Sequence, residues 1–332
     1  MSISPETLAQ YTALTTGVGV ADLTGRTLIE VTGADRAQLL HSFTTSDIKQ
    51  LAVGGISEAF VTSPQGKTLG HVLVGNRGDT FILDTTPGQA TTLIAHFERY
   101  IISEDATLRD LTAEQDELLL AGPGAAALLQ QVAGIGPEPA MAKAEIATAN
   151  VLVKRVTFLA APSYFLQSAR GDLPAVRAAL EASGAIACGP DAVEMARLEA
   201  GTPLFGRDIT DENLPQEIAR DALAISFTKG CYLGQETVAR IDALGHVNRQ
   251  LAGVRFTGST VPSPGLPLIA GGKAVGHVTS AAWSPKLQSP LAMALLRRAQ
   301  AKPGTALTSE LGDAVVVALP RVTLSSAPEK AT

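Results

Sequence analysis

Cysteine is nearly missing from this chain: Cys188 and Cys231 are the only two in 332 residues. That is too few for a disulfide framework or a site of four thiolates, and it points to a reducing compartment, the cytoplasm. Basic charge is also in deficit. Lys and Arg number 26 against 32 Asp and Glu, for a net charge of −6, so no direct nucleic-acid binding is expected. Long apolar runs are absent. The longest uncharged stretch, residues 118–136, is broken by Gly122, Pro123, Gly124, Gln130 and Gln131 and reads as strand, turn and helix, so no membrane insertion is expected. Residues 1–17 carry Glu6 and neither a basic region nor an apolar core, which reads against a signal peptide. The five histidines (His41, His71, His96, His246, His277) include no pair at helical metal-binding spacing, so no metal site is expected. No glycine-rich sequence follows a strand with dinucleotide or phosphate-loop spacing.

What is present is the composition of a folded protein, 45% hydrophobic and 17% charged, with a length that predicts more than one domain. Residues 27–31 alternate like a half-buried strand, end at Gly33 and lead into an amphipathic helix carrying Leu39, Leu40 and Phe43. The pattern recurs at 118–121, Gly122, and a helix with Leu128 and Leu129. Each unit is followed by another strand and helix (81–84 then 88–100; 164–167 then 173–182), a weak duplication of an α+β unit. Residues 58–63 and 67–74 read as a hairpin about Pro64-Gln65-Gly66. A helix is expected from Asp191, capped by an Asp191/Glu194 box and stopped at Gly201. Residues 202–234 form a long irregular stretch, of the kind that is usually functional. After Arg249, short apolar runs alternate with Pro/Gly turns, the texture of a small β-barrel or sandwich. The expected division is residues 1–245, a barrel at 246–325 and a disordered tail at 326–332.

The chemistry concentrates in residues 197–240. Lys229-Gly230-Cys231-Tyr232-Leu233-Gly234-Gln235-Glu236 sets Cys231 beside a cation, between two glycines and ahead of a helix, a setting that favours the thiolate. Lys229 is read as tuning Cys231 electrostatically; a Cys231–His246 dyad stays open, because such partners meet only in space. Cys188 reads as a small buried residue. Glu199, two residues beyond Arg197, could accept two hydrogen bonds from a planar heterocycle; the alternative is that both are solvated helix charges. Arg207, Arg220, Lys229, Arg240 and Arg249 offer a local basic patch, and Asp208 and Arg240 are a candidate pair.

Residues 197–201, 203–208, 213–217 and the octapeptide 229–236 resemble the YgfZ-type folate-binding proteins, within the superfamily of the aminomethyltransferase (T-protein, GcvT) of glycine cleavage. So do residues 31–36, 43–47, 245–249 and 276–280. The resemblance implies an α+β fold, a three-domain ring of duplicated α+β units and a C-terminal β-barrel around a channel for tetrahydrofolate or a one-carbon derivative. It implies that Glu199 contacts the pterin, with Arg197, Arg207, Asp208, Tyr232, Gln235 and Glu236 around the folate. It also implies that Cys231, with Lys229, supports iron–sulfur cluster assembly or repair in other enzymes, RNA-modifying ones included, through transient contact with iron–sulfur proteins or their assembly machinery. A monomer is expected. The aminomethyltransferases carry an acidic pair on the strand after the first hairpin glycine; here the pair is Gly70-His71. Without that carboxylate no acid/base is positioned to break an aminomethyl link, so the iron–sulfur reading ranks first and a folate-dependent aminomethyl- or methyltransferase second.

Overall fold

A computed structural model describes residues 3–320 except 137 and 246; His246 and the 326–332 tail therefore lie outside the described residues. Helix α1 (Pro5–Thr16), with Pro5 in its first turn and Ser4 accepting from the Thr7 N–H, leads to strand β1 (Gly19–Asp22). A first unit follows: β2 (Thr27–Thr32), α2 (Arg36–Phe43), β3 (Ile56–Thr62), β4 (Thr68–Asn76), β5 (Phe81–Thr85) and α3 (Ala90–Glu98). After β6 (Thr107–Asp110) the same succession returns as β7 (Gln115–Ala121), α4 (Ala125–Ala133), β8 (Met141–Ile146), β9 (Ala149–Val156), β10 (Ser163–Ala169) and α5 (Leu173–Ala182). The chain continues through β11 (Ile186–Cys188), α6 (Pro190–Ala200), the short α7 (Asp221–Ala224) and α8 (Gln235–Leu244). It ends in β12 (Arg249–Phe256), β13 (Pro267–Ala270), β14 (Lys273–Ser284), β15 (Ser289–Arg297), β16 (Ala306–Ser309) and β17 (Gly312–Val317).

The duplication is real in topology. One sheet runs β3-β4-β5-β2-β6 and the other β8-β9-β10-β7-β1-β11, so the hairpin, following strand and opening strand of each unit take equivalent places. Period-two alternation then sorts the side chains. In the first sheet Ile29, Val31, Ala59, Val61, Val72, Val74 and Leu83 pack under α2 and α3 against Leu39, Leu40, Leu93 and Phe97. In the second, Leu118, Leu120, Val151, Val153, Tyr164 and Leu166 pack under α4 and α5 against Leu128, Leu129, Val176 and Leu180. The opposite faces turn to the middle of the molecule and carry charge. There Asp84 on β5 meets Arg26 (2.6 Å) and Lys154 on β9 (2.7 Å), while Glu117 on β7 meets Lys154 and Arg26. Asp84, Glu117 and Lys154 are buried and Arg26 nearly so, and they clamp the two sheets together. Arg26 and Lys154 hold the Asp84 carboxyl down against its burial; burial and the Asp84 charge push Glu117 up.

The C-terminal strands close into a barrel in the order β12-β15-β14-β13-β16-β17. Its interior is apolar, with Val254, Phe256, Leu268, Val278, Leu296 and Val316. The boundary expected between residues 245 and 246 falls between α8 and β12. One detail of α6 differs from expectation: Pro190 opens it, Gly189 is the cap, and no side chain caps it. Glu194 is drawn instead to Arg197 and Arg207, where a full charge meets it. Gly201 ends the helix with φ +73°, and its N–H and that of Thr202 close on the Leu198 and Arg197 carbonyls.

Candidate functional site

A small cavity of about 50 Å³, open on one side, lies between the inner faces of the two sheets and the loop after α6. Its wall mixes Val156, Phe158, Phe165 and Leu204 with Glu58, His71, Asp84, Thr86, Thr202 and Arg220. The side-chain oxygens of Thr86 and Thr202 are buried there without a hydrogen-bond partner among the described residues. An orphaned buried hydroxyl costs free energy unless a ligand or water meets it. The wall thus suits a flat, heteroatom-rich molecule with one apolar face.

The titratable centre of this wall is Glu58. Arg220 grips it with two nitrogens, Nε on Oε1 and Nη2 on Oε2 (2.6 Å), and His71 Nε2 lies 2.7 Å from Oε1. Burial alone would raise the Glu58 pKa; Arg220 and His71 outweigh it and hold the carboxyl at about 2. The imidazole of His71 is stacked on Phe60, with ring centroids 5.0 Å apart. A paired carboxylate and imidazole therefore stand where the sequence suggested no positioned acid or base.

The octapeptide has a different setting from the one expected. Lys229 does not face Cys231 with a free charge. Its ammonium donates to the carbonyls of His41 (2.5 Å), Thr44 (2.7 Å) and Ser46 (2.9 Å) and lies 4.8 Å from the Tyr232 ring centroid. The physical reason is local: carbonyls at the end of α2 and in the turn just after it lack helical partners and attract a cation. Burial lowers the Lys229 pKa to about 7, with Asp47 pulling the other way. Gly234 serves the chain, not a ligand. With φ +81°, it lets the β3–β4 turn approach so closely that a Cβ there would lie 2.4 Å from the Ser63 carbonyl oxygen. The loop is tied down by Leu233, whose N–H donates to Ser42 O (2.9 Å) and whose carbonyl accepts from Thr62 Oγ1 (2.6 Å). Cys231 is left exposed at the surface, Tyr232 is buried, Gln235 accepts from the Tyr232 N–H (3.3 Å), and Glu236 is exposed.

The cluster at 197–208 is an anchor between the loop and the barrel. Arg197, fully buried, pairs with Glu194 (2.6 Å) and Asp208 (3.0 Å), and Arg207 pairs with Glu194 (2.9 Å). Asp208 accepts from both Thr279 (2.6 Å) and Ser280 (2.5 Å). Neighbouring strand residues normally face opposite ways; the ladder shift between Val278 and Ser280 lets both hydroxyls reach one carboxylate. Asp208 is thus the partner of Arg197, not of Arg240. Glu199 accepts from Tyr11 (2.6 Å), Ser284 (2.5 Å) and the Lys286 N–H (3.2 Å). The basic patch dissolves likewise into pairs such as Arg220–Glu58 and Arg249–Glu217. Cys231, Lys229, Glu199, Arg197, Arg207, Asp208, Tyr232, Gln235 and Glu236 are all outside the cavity wall, because each charge among the buried ones is met locally. Of the charged wall residues only Arg220 had been singled out, as part of the basic patch; Glu58, Asp84 and Arg26 carried one signal, charge within otherwise apolar strands or beside them.

Comparison with known proteins fits this architecture. The profile of the GCVT N-terminal domain matches residues 2–229, and that of the glycine cleavage T-protein C-terminal barrel domain matches 249–323. The chain belongs to the glycine cleavage T-protein family. Proteins named aminomethyltransferase from Saccharopolyspora erythraea and Streptomyces avermitilis are similar to it, at 28% and 26% identity. The first match covers 94% of this chain and 89% of the relative, the second 90% and 83%. The crystal structure of glycine cleavage system aminomethyltransferase T from Bartonella henselae superposes with a TM-score of 0.85, covering 95% of this chain and 89% of that one at 22% identity, which shows a shared fold.

The α+β fold with a closed C-terminal barrel is borne out. T-protein family members bind tetrahydrofolate and its one-carbon derivatives, so the expected cofactor class stands as well. The iron–sulfur reading does not stand. Relatives named aminomethyltransferase at 25–28% identity over most of the chain favour the one-carbon reading that was ranked second, and nothing supports iron–sulfur partners or a link to RNA modification. The demotion of that reading rested on the missing carboxylate; Glu58, on the neighbouring strand, places a carboxylate 2.7 Å from His71. No helix among the described residues is long and apolar enough to cross a membrane, and no cluster of His, Cys, Asp and Glu among them could hold a metal ion.

Proposed function

We propose that this protein is a tetrahydrofolate-dependent one-carbon transferase of the aminomethyl type for which its relatives are named. The observation that carries this reading is the central cavity, whose two orphaned hydroxyls and charged wall await a polar ligand. Bound tetrahydrofolate would supply a pair of nitrogens able to take a methylene carbon from an aminomethyl thiol, leaving a thiol and ammonia. Phe158, Phe165 and Leu204 offer apolar contact to a ring, and the Thr86 and Thr202 hydroxyls offer hydrogen bonds to its heteroatoms.

The finer placement in the YgfZ-type branch rests on the sequence resemblance, the octapeptide 229–236 above all. Its exposed Cys231 suits a reactant that arrives from outside the cavity. Calorimetric titration with tetrahydrofolate tests the main reading: saturable binding is expected, weakened in T86V and T202V. Absence of binding to the intact chain would refute it.

A further inference from the structure

We propose that His71 is the proton-handling group of the cavity, and that Glu58 and Arg220 are positioning residues that set its tautomer. The reaction assigned to it rests on the one-carbon reading above; the geometry stands apart from that. Glu58, ionised down to about pH 2, can only accept hydrogen bonds. The Nε2 of His71, 2.7 Å from its Oε1, therefore carries the hydrogen, and in the neutral ring the lone pair is on Nδ1. Arg220 bonds both oxygens of Glu58 and so fixes the carboxylate plane. Phe60 fixes the imidazole plane by stacking at 26°. Carboxylate, guanidinium and phenyl ring together leave one working atom, Nδ1, which has no hydrogen-bond partner among the described residues and belongs to a side chain in the cavity wall.

The task for such an atom follows from the transfer. A nitrogen that gains a carbon gives up a proton, and the heteroatom that departs with the bonding electron pair gains one. Two carbon–nitrogen bonds form as the bonds from carbon to sulfur and to the departing amine break, so two protons move; Nδ1 takes each in turn from a folate nitrogen and passes it to a departing heteroatom, so His71 ends each cycle neutral and no outside acid or base is consumed. The arrangement is a base held by a carboxylate, itself held by a cation, with geometry set before any ligand enters.

Nitrogen NMR of the ligand-free protein, with labelled histidine, reads the tautomer directly. Hydrogen on Nε2 is expected in the wild type, and a mixture of tautomers in E58Q. Hydrogen on Nδ1 in the wild type would overturn the assignment whether or not folate binds. In a second arm, H71Q leaves the Glu58–Arg220 pair intact. It should bind tetrahydrofolate yet release ammonia from an aminomethyl thiol at least about 100-fold more slowly; release at the wild-type rate would overturn the proton role. If the wild type binds no tetrahydrofolate, the one-carbon reading and the proton role fall together, and the NMR arm still decides the geometry.

Discussion

His71 reaches Glu58 (2.7 Å) although the residue directly across from it in the β3–β4 ladder is Phe60. Glu58, Phe60, His71 and Leu73 share one face of the sheet, and Glu58 is a diagonal neighbour of His71, within reach of a long side chain. Phe60 fills the space directly opposite and becomes the platform on which the imidazole stacks. A slip of one residue in this hairpin would send both polar groups into the core under α2 and α3.

Glu58 should make the fold acid-sensitive in a defined window. Its pKa is lowered from 4.5 to about 2, so its stabilisation is complete above pH 4.5 and is lost as pH falls through about 2. The shift corresponds to on the order of 3 kcal/mol. Urea unfolding of wild type and E58Q at neutral and acid pH should show the wild type losing its advantage across that window.

The clamp between the sheets should behave as buried ion pairs do. K154M strands Glu117 and Asp84 with one cation fewer in a dry interior, and a loss of about 3–5 kcal/mol is expected. Adding E117L removes the stranded charge and leaves Arg26–Asp84 in place, so the double variant should regain most of the loss in a thermal melt. A double variant no more stable than K154M would contradict the account.

The two thiols should separate cleanly. Cys231 is exposed, whereas Cys188 is buried and burial pushes its pKa up to about 11. Alkylation of the native protein should therefore label Cys231 alone, with Cys188 reacting only on unfolding. K229M removes an ammonium that is spent on three carbonyls. The same variant should cost on the order of 2 kcal/mol for the carbonyls it orphans.

G234A should fail through backbone and space at once. Its φ of +81° is left-handed, and the new Cβ would meet the Ser63 carbonyl oxygen at 2.4 Å. A loss of roughly 1–3 kcal/mol is expected, together with faster proteolysis at residues 229–236. A G234A variant as stable as wild type would show that the β3–β4 turn is free to move away.

Much of the architecture was legible because it is written in periodicity. The strand-helix pairs at 27–43 and 118–129, the stop at Gly201 and the barrel texture after Arg249 each depend on neighbours in sequence. The site was harder to read. Arg197, Asp208 and Lys229 drew attention as charges in an irregular stretch, yet their partners Thr279, Ser280 and the α2 carbonyls lie far away in sequence. His71 registered only as the loss of a carboxylate, since Glu58 and Arg220 meet it through a sheet register and a loop closure that no local pattern reports.

By itself, then, the sequence determined the class of fold, the duplicated units, the barrel and the family's folate chemistry, because hydrophobic period, glycine punctuation and motif spacing are local properties. Only the tertiary structure decided which charges are spent on holding the molecule together and which face its cavity. That choice depends on burial and on distances between residues far apart in the chain, where one ångström separates an ion pair from an idle side chain.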